Sequence, residues 1–387
     1  MLRLALVPLV ALVDASVLRG QSGRHLQNSD AGATPLAVTP PRSPAPSSIY
    51  GKIYVGVPPQ EFLVVYDTGS GNMFLPDRAC QSTSCMTKHS YDKLLSKAAK
   101  QVPNATSVPE EVSLTVGHGS VVGHPTLDKV CLQPQNVCAS TAFVAAAEMS
   151  DVPFSLYPFD GVVGLGMPGL SRNKEYNFLG NLAEAQALEK DRFSVWLSKE
   201  VDHEDSEIAF GDIPMTRVGS EIAWFPLSST EGLWQVEMKD LTVNLVRQGL
   251  CKGFTCHVAF DTGTGVLAGP RHMVEALKQE LNVASDCSNW DGLPALGVEL
   301  ADGVFNIEKY EYVQKSNEGC FLQMVALDTV KPVLFLGTPF LERYVTIYDR
   351  AFLRVGLAFA VHRSEATGES NEEARQRLMA REALGET

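Results

Sequence analysis

A chain of 387 residues is long enough for two or three domain-sized units with a large hydrophobic core. Its content of 45% hydrophobic and 20% charged residues is ordinary for a globular protein. The formal net charge of −13 argues against nucleic acid or an anionic membrane surface as the main binding partner.

The N-terminus has the features of a secretory signal peptide. Arg3 precedes the apolar run LALVPLVALV, and the small residues Ala15 and Ser16 provide a cleavage point. We therefore predict a signal peptide over residues 1–15 and a location in the secretory pathway, extracellular or endolysosomal/vacuolar. A buried core helix is the alternative, which Pro8 and the position at the very start disfavour. No other apolar run reaches the ~18 residues that span a bilayer, so we expect no transmembrane anchor.

Residues 16–47 are poor in apolar residues and rich in Pro, Ser and Gln, as in TPPRSPAPSS. Such a segment cannot bury enough surface to fold alone, so we predict a linker or the pro-segment of a zymogen. Short period-two or fully apolar runs then follow between turn residues, and they predict a β-rich domain. These runs are IYGKIYVGV, EFLVVYD, EVSLTVGHGSVVG, STAFVAAAEM, FDGVVGLG, RFSVWLS and SEIAFG.

Two stretches have the apolar spacing of a helix, FLGNLAEAQALEK and RHMVEALKQELN. Core packing is a sufficient explanation for both apolar faces. Their apolar positions are Phe178, Leu182, Ala185 and Leu188 in the first, and Val274, Leu277 and Leu281 in the second. The highly charged tail over residues 363–387 is predicted to be a solvated helix or disordered.

Eight cysteines indicate a disulfide framework formed in an oxidising compartment. Local spacing suggests three pairs that could staple hairpins, and one long-range pair remains. The expected disulfides are Cys80–Cys85, Cys131–Cys138, Cys251–Cys256 and Cys287–Cys320. A metal site would require CxxC-type pairs, which are absent, so we predict no metal. The single sequon, at Asn104, lies in a polar stretch and predicts a glycosylated surface loop.

The two halves of the chain repeat one order of signals. VVYDTGSGNMFLP carries Asp67, and VAFDTGTGVLAGP carries Asp261. Later in each half an apolar pair precedes a glycine, as VVG over 162–164 and as FLG over 335–337. The period is too long for a solenoid. We therefore predict two similar β lobes whose Asp-Thr-Gly loops meet face to face.

Paired aspartates have a specific chemical use. Two carboxylates within hydrogen-bonding distance cannot both ionise cheaply, so the pair shares one proton. The charged member can remove a proton from a water that attacks a carbonyl. The protonated member can polarise the carbonyl oxygen and then protonate the leaving nitrogen. This chemistry needs no metal and no cofactor, and we predict none.

With these motifs, the chain resembles the pepsin-type aspartic endopeptidases from about residue 49 to residue 360. The two Asp-Thr-Gly loops, both apolar-apolar-Gly segments and three of the four cysteine pairs match the family, whereas Cys131–Cys138 has no counterpart in pepsin itself. The resemblance implies a mainly β, bilobal pepsin-like fold with the active-site cleft between two similar lobes. We expect the N-terminal lobe over residues 48–217 and the C-terminal lobe over residues 218–362.

The resemblance also implies an activity. The expected enzyme is an aspartic endopeptidase that hydrolyses peptide bonds between apolar residues at acidic pH. Its partners would be peptide or protein substrates and pepstatin-like inhibitors, and the protein would be a monomer.

Residue roles follow at the matching positions. Asp67 and Asp261 become the catalytic dyad. The supporting residues are Thr68 and Thr262 as a cross-lobe hydrogen-bonded grip, Gly69 and Gly263 as loop glycines, and Ser70 and Thr264 as hydroxyls on the outer carboxylate oxygens.

The segment VSLTVGHGSVVG aligns with the β-hairpin flap that closes over substrate in this family. Val116 stands where the family usually has Tyr, and Phe74 stands where it usually has Trp. Because those two are hydrogen-bonded to each other in the family, their joint loss leaves no orphaned polar group. The substrate-binding residues expected here are Phe74, Val116, Gly117, His118, Phe154, Leu156 and Phe159, which would form a roomy apolar wall.

Other functions fit the sequence less well. GLGMPG matches a dinucleotide fingerprint formally, but Pro168 lies inside it and no βαβ unit surrounds it. Glycosidases need two carboxylates in unlike surroundings, whereas the two Asp loops are nearly identical. The alternative from another class is a catalytically weak or silent pepsin-like binding protein. The missing flap Tyr favours that alternative, and the intact Asp67 and Asp261 oppose it.

Overall fold

A computed structural model describes residues 49–102, 111–117, 119–133, 136–199, 206–230, 232–328 and 332–362. Within these residues the chain is mainly β, as expected. Several expected features lie outside the described residues: the signal peptide, the segment 16–47, the sequon at Asn104, His118 and the tail 363–387.

The chain divides into two compact units. Unit 1 contains Tyr50–Ala187 and Gly263–Gly265, and unit 2 contains Leu188–Thr262 and the described part of Val266–Thr387. The division falls earlier than the expected lobe boundary at 217/218. The reason is that two strands before residue 218 pair within a sheet of unit 2.

Unit 1 is built on one seven-stranded sheet in the order β1-β2-β7-β3-β6-β5-β4, in which β1 also pairs with β5. Its strands have the β-branched and aromatic content that favours a pleated, half-buried surface. They are β1 Tyr50–Val55, β2 Gln60–Asp67, β3 Met73–Pro76, β4 Val112–Val116, β5 Gly119–Gln133, β6 Asn136–Met149 and β7 Gly161–Gly164.

Unit 2 contains sheets of five, five, four and two strands among the described residues. Their orders are β10-β23-β22-β8-β9, β11-β14-β21-β15-β20, β13-β12-β16-β17 and β18-β19. The strands are β8 Arg192–Trp196, β9 Glu207–Phe210, β10 Ala223–Pro226, β11 Gln235–Met238, β12 Asp240–Val243, β13 Val246–Arg247, β14 Cys256–Phe260, β15 Leu267–Pro270, β16 Leu296–Leu300, β17 Gly303–Ile307, β18 Val313–Ser316, β19 Gly319–Leu322, β20 Met324–Leu327, β21 Val333–Leu336, β22 Tyr344–Asp349 and β23 Arg354–Phe359.

The described residues contain five α-helices, of which α2 and α3 were predicted. They are α1 Asp151–Phe154, α2 Phe178–Glu184, α3 Arg271–Leu281, α4 Lys309–Tyr312 and α5 Thr338–Leu341. Helix α3 buries Met273, Val274, Leu277 and Leu281 along one face and ends at Asn282 in the left-handed conformation. Helix α2 is shorter than its apolar spacing predicted, because Gln186 has a φ of 49° and the helix stops before it. Ala185 and Leu188 therefore lie beyond the helix.

The structure contains four disulfides, which join the cysteines that were paired from the sequence: Cys80–Cys85, Cys131–Cys138, Cys251–Cys256 and Cys287–Cys320. Cys131 and Cys138 are direct partners in the β5–β6 ladder, so their bond closes the end of that hairpin. None of the helices in the described ranges has the length and apolar character needed to cross a bilayer.

Candidate functional site

The first aspartate loop, residues 67–71, begins where β2 ends. Strand β2 lies parallel to β7, and this register sets Asp67 opposite Gly164. The Asp67 side chain is fully buried. A glycine is required at position 164, because a Cβ there would come within 2.6 Å of the backbone of Gly71 and Asn72. The apolar-apolar-Gly motif of the first half therefore allows the loop to approach β7 closely.

The carboxylate of Asp67 accepts hydrogen bonds from its own loop. The Gly69 N–H donates to Oδ1 over 2.9 Å, and the Ser70 hydroxyl donates to Oδ2. The backbone of Asp67 is held as well, since its carbonyl accepts from the Leu165 N–H over 2.6 Å. Donors placed on both oxygens fix the plane of the carboxylate, and hydrogen bonds to an ionised carboxylate are stronger than neutral ones. Gly69 and Ser70 are thus the two residues of the loop that donate to this carboxylate.

The second aspartate loop, residues 261–265, follows β14. Strand β14 lies parallel to β21 with Phe260 opposite Leu336, and the Asp261 N–H donates to the Leu336 carbonyl over 3.1 Å. Asp261 and Thr264 are buried, with 2% and 3% of their surfaces exposed. The FLG motif of the second half therefore flanks its aspartate as VVG flanks Asp67.

Both aspartates lie in the same local frame of strands. In unit 1 the chain returns after the loop as β3, antiparallel to β7 and parallel to β6. In unit 2 it returns as β15, antiparallel to β21 and parallel to β20. Asp67 thus ends, and Asp261 directly follows, a strand whose parallel neighbour carries the apolar-apolar-Gly motif. Thr68 is fully buried in its loop, and Thr262 is half-buried in the other.

Most of the expected substrate-binding residues belong to the core of unit 1. Phe74, Val116, Phe154 and Phe159 are each at most 5% exposed and share one hydrophobic cluster. The rings of Phe74 and Phe154 meet edge to face, with centroids 5.5 Å apart. Leu156 lies outside the cluster and is 54% exposed. The four buried side chains therefore act as packing residues here, and their contact with substrate stays a prediction.

The expected flap is the hairpin formed by β4 and β5. Gly117, in its turn, has a φ of 60°, a left-handed conformation in which glycine is favoured because it has no Cβ. The Val116–Gly119 pair closes the ladder around this turn.

Buried polar groups align the strands that carry Asp67. Asp160, one residue before β7, accepts from the Leu63 N–H over 2.8 Å and from the His89 N–H over 2.7 Å. Tyr66 donates its hydroxyl to the Lys52 carbonyl over 3.1 Å, and burial raises the pKa of its phenol. The Asp160 carboxylate therefore links the start of β7 to β2, and the Tyr66 hydroxyl links β2 to β1.

The sequence did not identify Asp160, the contact that Ser171 makes with the first aspartate loop, or the contact that Asn177 makes with Ser171. The Ser171 hydroxyl donates to the Gly71 carbonyl over 2.7 Å, and Asn177 donates to the Ser171 hydroxyl over 3.1 Å. An Asn just before an apolar helix is a known start signal, so the capping role of Asn177 was visible in the sequence. Its connection to the loop depends on tertiary contacts.

A family model described as eukaryotic aspartyl protease matches residues 48–360. The chain belongs to the eukaryotic aspartyl protease family. It is accordingly an aspartic endopeptidase with the bilobal pepsin-like fold. It is 31% identical over 320 residues to pepsin A of Gallus gallus, and the aligned region covers 81% of this chain and 84% of that protein. It is 30% identical over 325 residues to pepsin II-1 of Oryctolagus cuniculus, covering 80% of each. Cathepsin D of Dictyostelium discoideum is 29% identical over 327 residues, covering 81% of this chain and 83% of that protein.

Proposed function

We propose that Asp67 and Asp261 act together as the catalytic dyad of this endopeptidase. The observation that carries the proposal is the repetition of one strand frame around two buried aspartates. Such a repeat places both carboxylates in the same frame of strands, which suits two groups that share a single proton.

In the proposed reaction, the ionised carboxylate takes a proton from a water while the water oxygen attacks the carbonyl carbon of the peptide. The protonated carboxyl donates to the carbonyl oxygen, so the negative charge that develops there is neutralised. The tetrahedral intermediate then collapses: the carboxyl that took the proton from water delivers it to the nitrogen, the C–N bond breaks, and a hydroxyl of the intermediate returns its proton to the other carboxylate. The products are a new carboxyl end and a free amine, and the pair regains its single shared proton.

The loop residues have supporting roles in this proposal. Ser70 would orient the Asp67 carboxylate through the hydrogen bond that its hydroxyl donates. The Thr264 hydroxyl would orient the Asp261 carboxylate in the same way. Thr68 and Thr262 would form a hydrogen-bonded grip behind the carboxylates, with Gly69 and Gly263 allowing the tight bends.

We further propose that the β4–β5 hairpin closes over bound substrate. With Val116 and Phe74 in place of a larger polar pair, the adjoining subsite would be wholly apolar. Phe or Leu before the cleaved bond would then be preferred over small or charged residues, because a charged side chain would lose its hydration without gaining a partner.

We infer that the enzyme works in the secretory pathway, outside the cell or in an acidic endolysosomal or vacuolar compartment. The signal-like N-terminus and the four disulfides support this location. Peptides and proteins would be its substrates, pepstatin-type compounds its inhibitors, and the active form a monomer glycosylated at Asn104.

Digestion of a peptide library between about pH 3 and pH 7, with sequencing of the products, tests this function. The wild-type protein should cleave after large apolar residues at acidic pH, and a pepstatin-type inhibitor should abolish cleavage. Tight binding of that inhibitor without cleavage of any peptide would instead identify a silent pepsin-like binding protein. Cleavage after Lys or Glu as readily as after Phe would contradict the proposed subsite.

A further inference from the structure

The amide of Asn177 lies at the centre of a hydrogen-bond network behind the first aspartate loop. Asn177 is only 2% exposed. Its Nδ2 group donates to the Gly166 carbonyl over 3.2 Å and to the Ser171 hydroxyl over 3.1 Å. Its Oδ1 atom accepts from the Gly180 N–H over 2.7 Å, which caps helix α2. The side chain therefore joins the start of α2 to two other segments of unit 1.

Gly166 and Ser171 each donate a hydrogen bond to a backbone carbonyl of the first aspartate loop. The Gly166 N–H donates to the Ser70 carbonyl over 2.7 Å. The Ser171 hydroxyl donates to the next carbonyl, that of Gly71, over 2.7 Å. Two successive carbonyl groups of the loop, those of Ser70 and Gly71, thus accept hydrogen bonds from Gly166 and Ser171. Asn177 donates a hydrogen bond to each of these two donor residues. Ser70 is the residue whose hydroxyl donates to the Asp67 carboxylate.

The contact between the loop and the segment around residue 171 leaves no free space. A Cβ at Gly71 would lie 2.5 Å from the Leu170 carbonyl carbon and 2.6 Å from the Ser171 nitrogen. Because the two backbones already touch, a shift of the 166–171 segment would move the loop with it.

We propose that Asn177 is a positioning residue for the peptidase reaction, and that it acts by fixing the direction in which Ser70 presents its hydroxyl to Asp67. This inference rests on the proposed role of Asp67 as a catalytic carboxylate. A misplacement of about 1 Å at a reacting group can cost roughly a hundredfold in rate, so a buried amide outside the loop can matter to the chemistry.

The helix-capping role of Asn177 can be separated from the positioning role. Capping uses only the Oδ1 acceptor, and a Ser hydroxyl serves as well as Asn at this position of a helix. The Nδ2 donations to Gly166 and Ser171 contribute nothing to the cap. Asn177→Ser therefore keeps the cap of α2 and removes the two donations that reach the loop.

Asn181 provides a matched control on the same helix. Its amide donates to the Thr141 hydroxyl over 3.3 Å and to the Glu175 carbonyl over 2.8 Å, and neither group belongs to the aspartate loop. Asn177→Ser and Asn181→Ser thus remove comparable pairs of hydrogen bonds from α2. We expect similar melting temperatures for both, but a kcat about tenfold lower for Asn177→Ser alone, with KM within about twofold of wild type.

A double-mutant cycle with Ser70→Ala tests the route of the effect. If Asn177 acts through Ser70, then Asn177→Ser in the Ser70→Ala background should lower kcat by less than about twofold. Multiplicative losses would overturn the proposal, and so would equal kcat values for Asn177→Ser and Asn181→Ser. Should Asn177→Ser fail to fold, Ser171→Ala removes one connection without touching the cap and should lower kcat several-fold; an unchanged kcat would overturn the proposal.

The same experiments distinguish this inference from the proposed function. A wild-type protein without peptidase activity, or an Asp67→Asn variant as active as wild type, would contradict the proposed dyad. A wild-type enzyme that depends on Asp67 but is unaffected by Asn177→Ser would contradict only the positioning role.

Discussion

The first and second aspartate loops occupy the same strand frame but have different neighbours beyond it. In both units, the strand that leads into the aspartate loop lies parallel to the strand of the apolar-apolar-Gly motif. Two residues after that glycine, unit 1 has Gly166, whose N–H donates to Ser70. Unit 2 has Pro339 at the equivalent position, and proline has no N–H to donate. The repeated residues therefore place each aspartate, and the unrepeated ones determine how its loop is supported.

The return strands differ in the same way. Strands β3 and β15 both end at a proline, Pro76 and Pro270. In unit 1 the chain then enters the turn closed by Cys80–Cys85, whereas in unit 2 helix α3 begins at once. The similarity between the units thus extends over the aspartate frame and stops at its edges.

Replacing either aspartate is expected to have the largest effect. Asp67→Asn and Asp261→Asn each remove the shared proton, so each should lower kcat/KM by roughly a hundred- to ten-thousand-fold or more. Equal losses would support equivalent roles for the two loops. The measurement is hydrolysis of a fluorogenic peptide, with circular dichroism as the control for folding. Robust cleavage by either purified variant would remove that aspartate from the dyad.

Substitution of Gly164 or Gly337, the glycines of the two apolar-apolar-Gly motifs, tests whether both aspartate loops are packed equally tightly against the neighbouring strand. Gly164→Ala should lower the free energy of unfolding by about 1–3 kcal/mol and reduce activity, since its Cβ would overlap backbone atoms of the first aspartate loop. Gly337→Ala should have a similar effect if the second frame is equally tight. Gly232→Ala is the control, because a Cβ there meets nothing within 4 Å. Urea unfolding of all three variants checks the expectation, and a fully stable Gly337→Ala would limit the comparison to strand order.

The loop hydroxyls should have an intermediate effect. Ser70→Ala removes the donor to Asp67, and a hydrogen bond to a charged group contributes about 1.5–3 kcal/mol, so kcat should fall roughly tenfold or more. Thr264→Ala should cause a comparable loss if Thr264 serves Asp261 in the same way. Thr264→Ser, which keeps the hydroxyl, is the matched control. An unaffected Thr264→Ala variant would show that the two aspartates are oriented by different means.

The smallest effect on kcat/KM is expected at Phe74 and at Val116 of the β4–β5 hairpin, a hairpin that only unit 1 is expected to supply as a flap. Phe74 and Val116 are buried in one hydrophobic cluster, so the larger side chain of Phe74→Trp or Val116→Tyr alone should cost about 1–3 kcal/mol of stability. Together they could form a hydrogen bond worth about 1 kcal/mol. We expect the double variant to have a higher kcat/KM than the two single effects predict. A double-mutant cycle measures this coupling, and strictly additive effects would contradict it.

Several features could be predicted because they depend on local residues. The apolar runs that end in Asp-Thr-Gly form strands β2 and β14, and the 3.6-residue spacing of Val274, Leu277 and Leu281 forms the buried face of α3. The four cysteine pairs could also be anticipated, three of them from short separations along the chain.

The locations of individual side chains could not be derived this way. Phe154, Leu156 and Phe159 were expected to share one wall, but two of them are fully buried and Leu156 faces solvent. Residues so close in the sequence share no strand or helix period here, because a short helix and turns separate them. Burial at these positions was decided by the sheet against which they pack.

The sequence by itself determined the repeated aspartate loops, the β-rich fold and the family, since each depends on residue types at fixed short spacings. Only the tertiary structure decided that β8 and β9 belong to unit 2, that α2 ends before Gln186, and that Asn177 is connected to the loop of Asp67. These outcomes depend on strands, carbonyls and side chains brought together from distant parts of the chain. Sequence periodicity does not predict such contacts, because they depend on which surfaces meet when the strands pair.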